Sequence, residues 1–139
     1  MSEFIPTFDD IKALQLSEVS RYGDNLRARA LKGSTKSQRE AWPLKGVVAL
    51  NIIKGTASDA EIATVQAELD TRSKDETVQE LAQKQYESAL SLLTFNNSIE
   101  GTAKYSADLI NAASTEAELD DALASIKERR TALESSLPK

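Results

Sequence analysis

The sequence predicts an all-α fold, a helical bundle that ends in a long C-terminal antiparallel helical hairpin. Three observations predict it. Pairs of the form Ser/Thr-x-x-Glu recur ahead of apolar stretches, at Ser37 and Glu40, Ser58 and Glu61, and Thr115 and Glu118, where each pair can close a capping box. Apolar residues fall three and four apart through most of the chain, the spacing of one helix face. Five glycines and three prolines in 139 residues are too few to punctuate a many-stranded β protein.

The first helix begins at Thr7, which can cap it, with Asp9 and Asp10 placed favourably against the macrodipole. Ile11, Leu14, Val19, Tyr22 and Leu26 carry its apolar stripe toward Leu31, and Gly23 is a point where it can break. After the polar gap Gly33 to Ser37, a second helix is expected from Gln38 to Lys54. It holds Trp42, Leu44, Val47, Val48, Leu50, Ile52 and Ile53, the densest apolar cluster in the chain, and is expected to be the most buried helix. Pro43 has no amide donor, so the helix either begins there or kinks there. The β-branched pairs Val47-Val48 and Ile52-Ile53 suit a strand, but no second strand-like segment exists to pair with one.

Gly55 supplies a left-handed stop, and Ser58 opens a short helix through Ile62, Val65 and Leu69. The run Thr71 to Asp75 reads as a turn. From Glu76 one apolar face continues through Val78, Leu81, Tyr86, Leu93, Ala103 and Ile110, with Asn96, Asn97 and Gly101 as weak points. Ala113 to Thr115 makes the tight connection to the last helix, where Leu119, Leu123, Ile126, Leu133 and Leu137 form a heptad seam interrupted by Arg130. Residues 1–36 are read as an N-terminal arm and helix open to partner docking, and residues 37–139 as the bundle domain.

Composition narrows the function. The chain has no histidine, which removes the commonest general base and metal ligand, and no cysteine, which removes thiol nucleophiles and most zinc sites. The pairs Asp9-Asp10 and Asp120-Asp121 fall in first turns, where acids complement the helix dipole. No phosphate-binding glycine loop and no calcium loop is present. We therefore expect no enzyme activity, no cofactor, no metal and no small-molecule substrate. No apolar run reaches the roughly 20 residues that cross a bilayer, and MSEFIPTFDDIK lacks the flanks of a signal peptide, so no membrane association is expected.

The net charge of −5 speaks against nucleic acid as a general partner, but the charge is polarised. Residues 1–55 hold nine Lys/Arg and six Asp/Glu, a balance of +3, and residues 56–139 hold eight and sixteen, a balance of −8. Arg27, Arg29, Lys32, Lys36, Arg39 and Lys45 form a basic stretch opposed between positions 26 and 45 only by Glu40. It is read as a solvated face or as a dock for an acidic partner, including the acidic half of a second copy. Lys127 to Arg130 is a shorter basic run that suits a solvated helix end. Trp42, the one tryptophan, is read as a core anchor, with an interface hot spot as the alternative. Phe4, Ile5 and Phe8 around Pro6 must fold back locally or insert into a partner. Partner-binding candidates are thus Phe4, Ile5, Phe8, Arg27, Arg29, Lys32, Lys36 and Trp42, joined by Leu119, Leu123, Ile126 and Leu133 of the seam.

The segment Arg39 to Glu134 also resembles a small helical protein that recurs among tailed bacteriophages near tail or tail-fibre genes. The resemblance is carried by Ala41-Trp42, Lys45, the run Ile53 to Ser58, Glu68, Arg72, Glu76-Thr77, Glu80-Leu81-Ala82, Lys84, Gly101, the run Ala112 to Thr115, and Glu118-Leu119. The sequence departs from that pattern at Pro43 and at Ala103-Lys104-Tyr105, where relatives place arginines after the glycine. The resemblance implies a non-enzymatic structural protein of the virion tail, made in the host cytoplasm, that contacts other phage structural proteins and copies of itself. The alternative is an assembly chaperone of the tail or tail fibre that is absent from the finished particle.

Overall fold

The computed structural model describes residues 5–72 and 75–137, and among them it contains five helices and no strand. They are α1 (Phe8–Ala30), α2 (Lys36–Lys54), α3 (Asp59–Thr71), α4 (Val78–Ala112) and α5 (Glu116–Ser135). The protein is an all-α helical bundle.

Local chemistry sets the helix starts. The Thr7 hydroxyl accepts from the Asp10 amide at 3.1 Å, and the Asp10 carboxylate accepts from the Thr7 amide at 2.9 Å. The same box recurs at Ser58 with Glu61 and at Thr77 with Glu80. Before α2 it is closed by Thr35 and Gln38, not by Ser37 and Glu40. Overlapping pairs compete there, and the earlier one wins because α1 has already ended in the left-handed turn at Gly33 (φ 88°). Pro43 lies inside α2, so the helix neither begins nor stops at it. Gly55 ends α2 in the left-handed conformation at φ 76°, with the Thr56 amide donating to the Asn51 carbonyl at 2.9 Å.

Neither Gly23 nor the Asn96-to-Gly101 stretch interrupts its helix. At Gly23 the missing side chain is a packing requirement: a Cβ there would stand 3.2 Å from the Ile99 Cγ2. At 35 residues, α4 is about 52 Å long.

The chain divides into two compact units, Met1–Lys32 with Thr94–Lys139, and Gly33–Leu93. The first holds α1, α5 and the later part of α4. One of its cores gathers Val19, Ile110, Ala113, Leu119 and Ile126, and the other gathers Leu26, Phe95, Ile99 and Leu133. Lys12 ties α1 to the end of α4, its ammonium donating to the carbonyls of Asn111 (3.1 Å) and Ala113 (2.8 Å). Carbonyls at a helix end have no partner within the helix, and a cation beside them complements the dipole.

The second unit holds α2, α3 and the first part of α4 around Ala49, Ile52, Val65, Leu81 and Ala82. Only Ala49 and Ile52 of α2 are buried, while Leu44 and Val47 are exposed, so α2 is not the most buried helix. The reason is the small-residue side it turns inward: Gly46 lies so close to α4 that a Cβ would stand 2.8 Å from the Ala89 Cβ. That approach directs the bulkier residues of α2 elsewhere.

Candidate functional site

The seam of α5 is occupied within the chain. Leu119 and Ile126 are buried in one core, Leu123 packs against it, and Leu133 is buried in the other. Side chains of α1 and α4 meet this face, so Leu119, Ile126 and Leu133 are buried within the chain and Leu123 is partly exposed. Phe8 is half-buried against the first core, with the Lys12 ammonium 5.6 Å from its ring centre. Ile5 is exposed, Trp42 is half-buried, and Phe4 lies outside the described residues.

The basic stretch meets more acids than its local sequence offers. In the first unit Arg27 lies 3.4 Å from Asp24 and Arg29 lies 3.5 Å from Glu134, while Lys32 is exposed. In the second, Lys36 is 3.8 Å from Glu40, Arg39 donates to the Ser34 carbonyl at 3.4 Å, and Lys45 is 2.8 Å from Glu68. The partners Asp24, Glu68 and Glu134 lie outside positions 26 to 45, and a local charge count misses them.

Lys45 belongs to a network that ties the second unit together. Glu68 on α3 also accepts from Arg72 (3.3 Å) and from the Gln85 amide on α4 (3.2 Å). Arg72 continues to Glu76 at 3.0 Å, and Glu76 pairs with Lys84. The Lys45 hydrogen bond and charge, with Arg72 and Gln85, hold the Glu68 carboxyl below its ordinary range. Lys45, Glu68, Arg72, Glu76 and Lys84 are five of the residues that carry the resemblance. Their role in this chain is to join α2, α3, α4 and the segment before α4.

Ile5 and Leu14 of the first unit and Ile62 of α3 are exposed singly, whereas a group of exposed apolar side chains lies on α2 and α4 of the second unit. Leu44 (67% exposed) and Val47 (56%) on α2, with Leu90 (47%) and Leu93 (56%) on α4, are large apolar side chains in contact with water. Their position follows from the Gly46 and Ala89 contact. Ile52 and Gly55 line one groove with Thr77 and Val78, so residue numbers rise along α2 as they fall along α4, and the two helices run antiparallel. Successive residues turn by about 100° around a helix. In an antiparallel pair, Val47, Leu90 and Leu93 therefore fall on one side of the contact, with Leu44 at the outer rim. Lys45 and Gln85 fall on the other side, where Glu68 of α3 bonds both. One face of the α2 and α4 pair is covered by α3 and the other is open. Local sequence conceals this, because Leu44, Val47, Val48, Leu50, Ile52 and Ile53 read as one apolar cluster until the Gly46 contact orients the helix.

The remaining chemistry is structural. Asp10, Glu61 and Glu118 are held below the ordinary carboxylate range, chiefly by backbone amides of Thr7, Ser58 and Ser114. Burial, reinforced by Glu134, raises the Tyr22 phenol to about 12, and its hydroxyl donates to the Arg130 carbonyl at 3.2 Å. A cavity of about 10 Å³ beside Tyr22, Ser106 and Arg130 has at most the room of one water. Among the described residues no group of three or more His, Cys, Asp or Glu could hold a metal ion, and no helix is long and apolar enough to cross a membrane. Compared with family models, curated proteins and solved structures, the chain matches none.

Proposed function

We propose that this chain is a non-enzymatic structural protein of a bacteriophage tail, a tail-fibre or baseplate accessory that acts through protein contacts in the virion. The observation that carries the binding part is the open apolar face of α2 and α4, since exposed apolar groups clustered on one face are typical of interaction surfaces. The tail assignment rests on the resemblance of Arg39 to Glu134. The expected C-terminal hairpin is part of this reading. Ile110 and Ala113 share a core with Leu119, and Phe95 and Ile99 share one with Leu133, which supports an antiparallel course for α4 and α5.

An assembly chaperone would present the same open face during tail construction and then leave. Mass spectrometry of purified particles from the encoding phage or prophage separates the two. The structural reading expects the chain in finished particles at a fixed ratio to a tail protein. Its presence in the infected lysate but not in particles would replace that reading with the chaperone, and failure to copurify with any tail component would remove both.

A further inference from the structure

We propose that the open face of α2 and α4 is the dimer interface of this protein, with α2 of one copy stacked over α4 of the other about a two-fold axis parallel to the helices. Resting on the same face as the proposed function, this dimer names a second copy as the occupant, and because it forms in the purified chain its failure leaves the tail assignment to be tested in particles.

The shape of the unit supports a second copy as the occupant. An antiparallel helix pair with one uncovered apolar side becomes a four-helix layer when an identical pair is laid on it, and a two-fold interface uses the same patch twice. The heights agree. With Gly46 level with Ala89, Leu90 stands level with Lys45 and Leu93 with Trp42. Along the common axis the exposed residues therefore follow the order Leu93, Leu44, Leu90, Val47. A two-fold axis parallel to the helices preserves height, so Leu90 of one copy enters between Leu44 and Val47 of the other.

Charge favours this stacking over its rival. On the open side α2 carries Lys36, Arg39, Glu40 and Lys54, and α4 carries Glu87 at its rim, all exposed. Lys36 is already paired with Glu40 at 3.8 Å. Laying α2 on α4 of the other copy leaves Lys54 and Glu87 about six residues, or roughly 9 Å, apart along the axis. Helix side chains lean toward the N-terminus of their own helix, and in this antiparallel stack the lean of each closes that gap. Each lysine then has its own acid, twice per dimer, while Arg39 keeps its bond to the Ser34 carbonyl. Laying α2 on α2 instead, centred between Leu44 and Val47, would gather Lys36 and Lys54 around the one acid Glu40 and leave Glu87 remote. The exposed apolar side chains alone cover less than the roughly 800 Å² per partner of a standard interface, so the polar flanks take part and the affinity falls in the micromolar range.

The test is sedimentation equilibrium of the full chain over about a hundredfold range of concentration, with circular dichroism to check folding. The expected result is a reversible monomer and dimer. Val47→Lys with Leu90→Lys, both at exposed positions, is expected to remain helical and sediment as a monomer. Lys54→Glu or Glu87→Lys alone is expected to weaken the dimer at least tenfold, and the two together to restore it. A wild-type chain that stays monomeric throughout, a higher oligomer, or a dimer untouched by the charge variants would each overturn the proposal. Should the lysine pair fail to fold, the charge swap decides by itself.

Discussion

Gly46 and Ala89 bring two helix backbones close together, and the consequences of that contact exceed its size. A Cβ at Gly46 would stand 2.8 Å from the Ala89 Cβ, so any side chain there forces α2 away from α4. A helix interior normally gains about 1 kcal/mol when glycine is replaced by alanine. Overpacking a close contact costs about 1–3 kcal/mol, and a β-branched residue recovers little helix propensity, so the steric effect dominates for valine. Gly46→Val is expected to lower the stability of the Gly33–Leu93 unit by about that amount, read as a lower urea midpoint. Adding Ala89→Gly is expected to return part of the loss, so the double variant is less destabilised than the sum of the singles. The same glycine explains why the exposed residues escape a local reading. Nothing near Leu44 or Val47 in the sequence marks them as outward-facing, and only the distant Ala89 does so.

Helix boundaries are legible in the sequence wherever a side chain caps a backbone group three residues away. Thr7 with Asp10 and Ser58 with Glu61 act where their spacing says they should, while Thr115 caps the Glu118 amide but the Glu118 carboxylate accepts from the Ser114 amide instead of closing the expected box. The start of α2 is less legible because Thr35-x-x-Gln38 and Ser37-x-x-Glu40 overlap, and neighbouring turns decide between them. Contacts between helices are least legible. The seam from Leu119 to Leu133 has the pattern of a docking stripe, but periodicity reveals an apolar face without revealing what covers it. The network around Glu68 is another such contact, and it sets a pH dependence. Its carboxyl is held below the ordinary 4.5 by Lys45, Arg72 and Gln85, so its contribution is present above that pH and is lost as pH falls through the depressed folded value. Glu68→Gln is expected to lower the melting temperature at neutral pH by a few degrees, consistent with about 1 kcal/mol for a partly exposed network. Below pH 4.5 the gap between variant and wild type is expected to narrow as the wild-type carboxyl protonates. Melting curves at several pH values check this, and a gap that stays constant would show that the charge of Glu68 contributes nothing.

For the whole molecule, the apolar residues divide between those that close the cores and those that face water. The α5 seam, α1 and the later part of α4 close the first unit, and α3 closes one side of the second. Leu14 and Ile62 also face water, but the exposed apolar side chains that share one face are those of α2 and α4, to which the proposed contacts of the protein are assigned. The fold class can be read from caps and periodicity because these are local. The open face cannot, since it depends on which side of α2 a single glycine presses against α4. The most direct measurement of the central claim is the amount of this chain in purified tail particles when wild type is replaced by Val47→Lys with Leu90→Lys. The expected result is a variant that folds, as judged by its circular dichroism, but is depleted at least tenfold from particles. A folded variant incorporated at the wild-type level would contradict the claim.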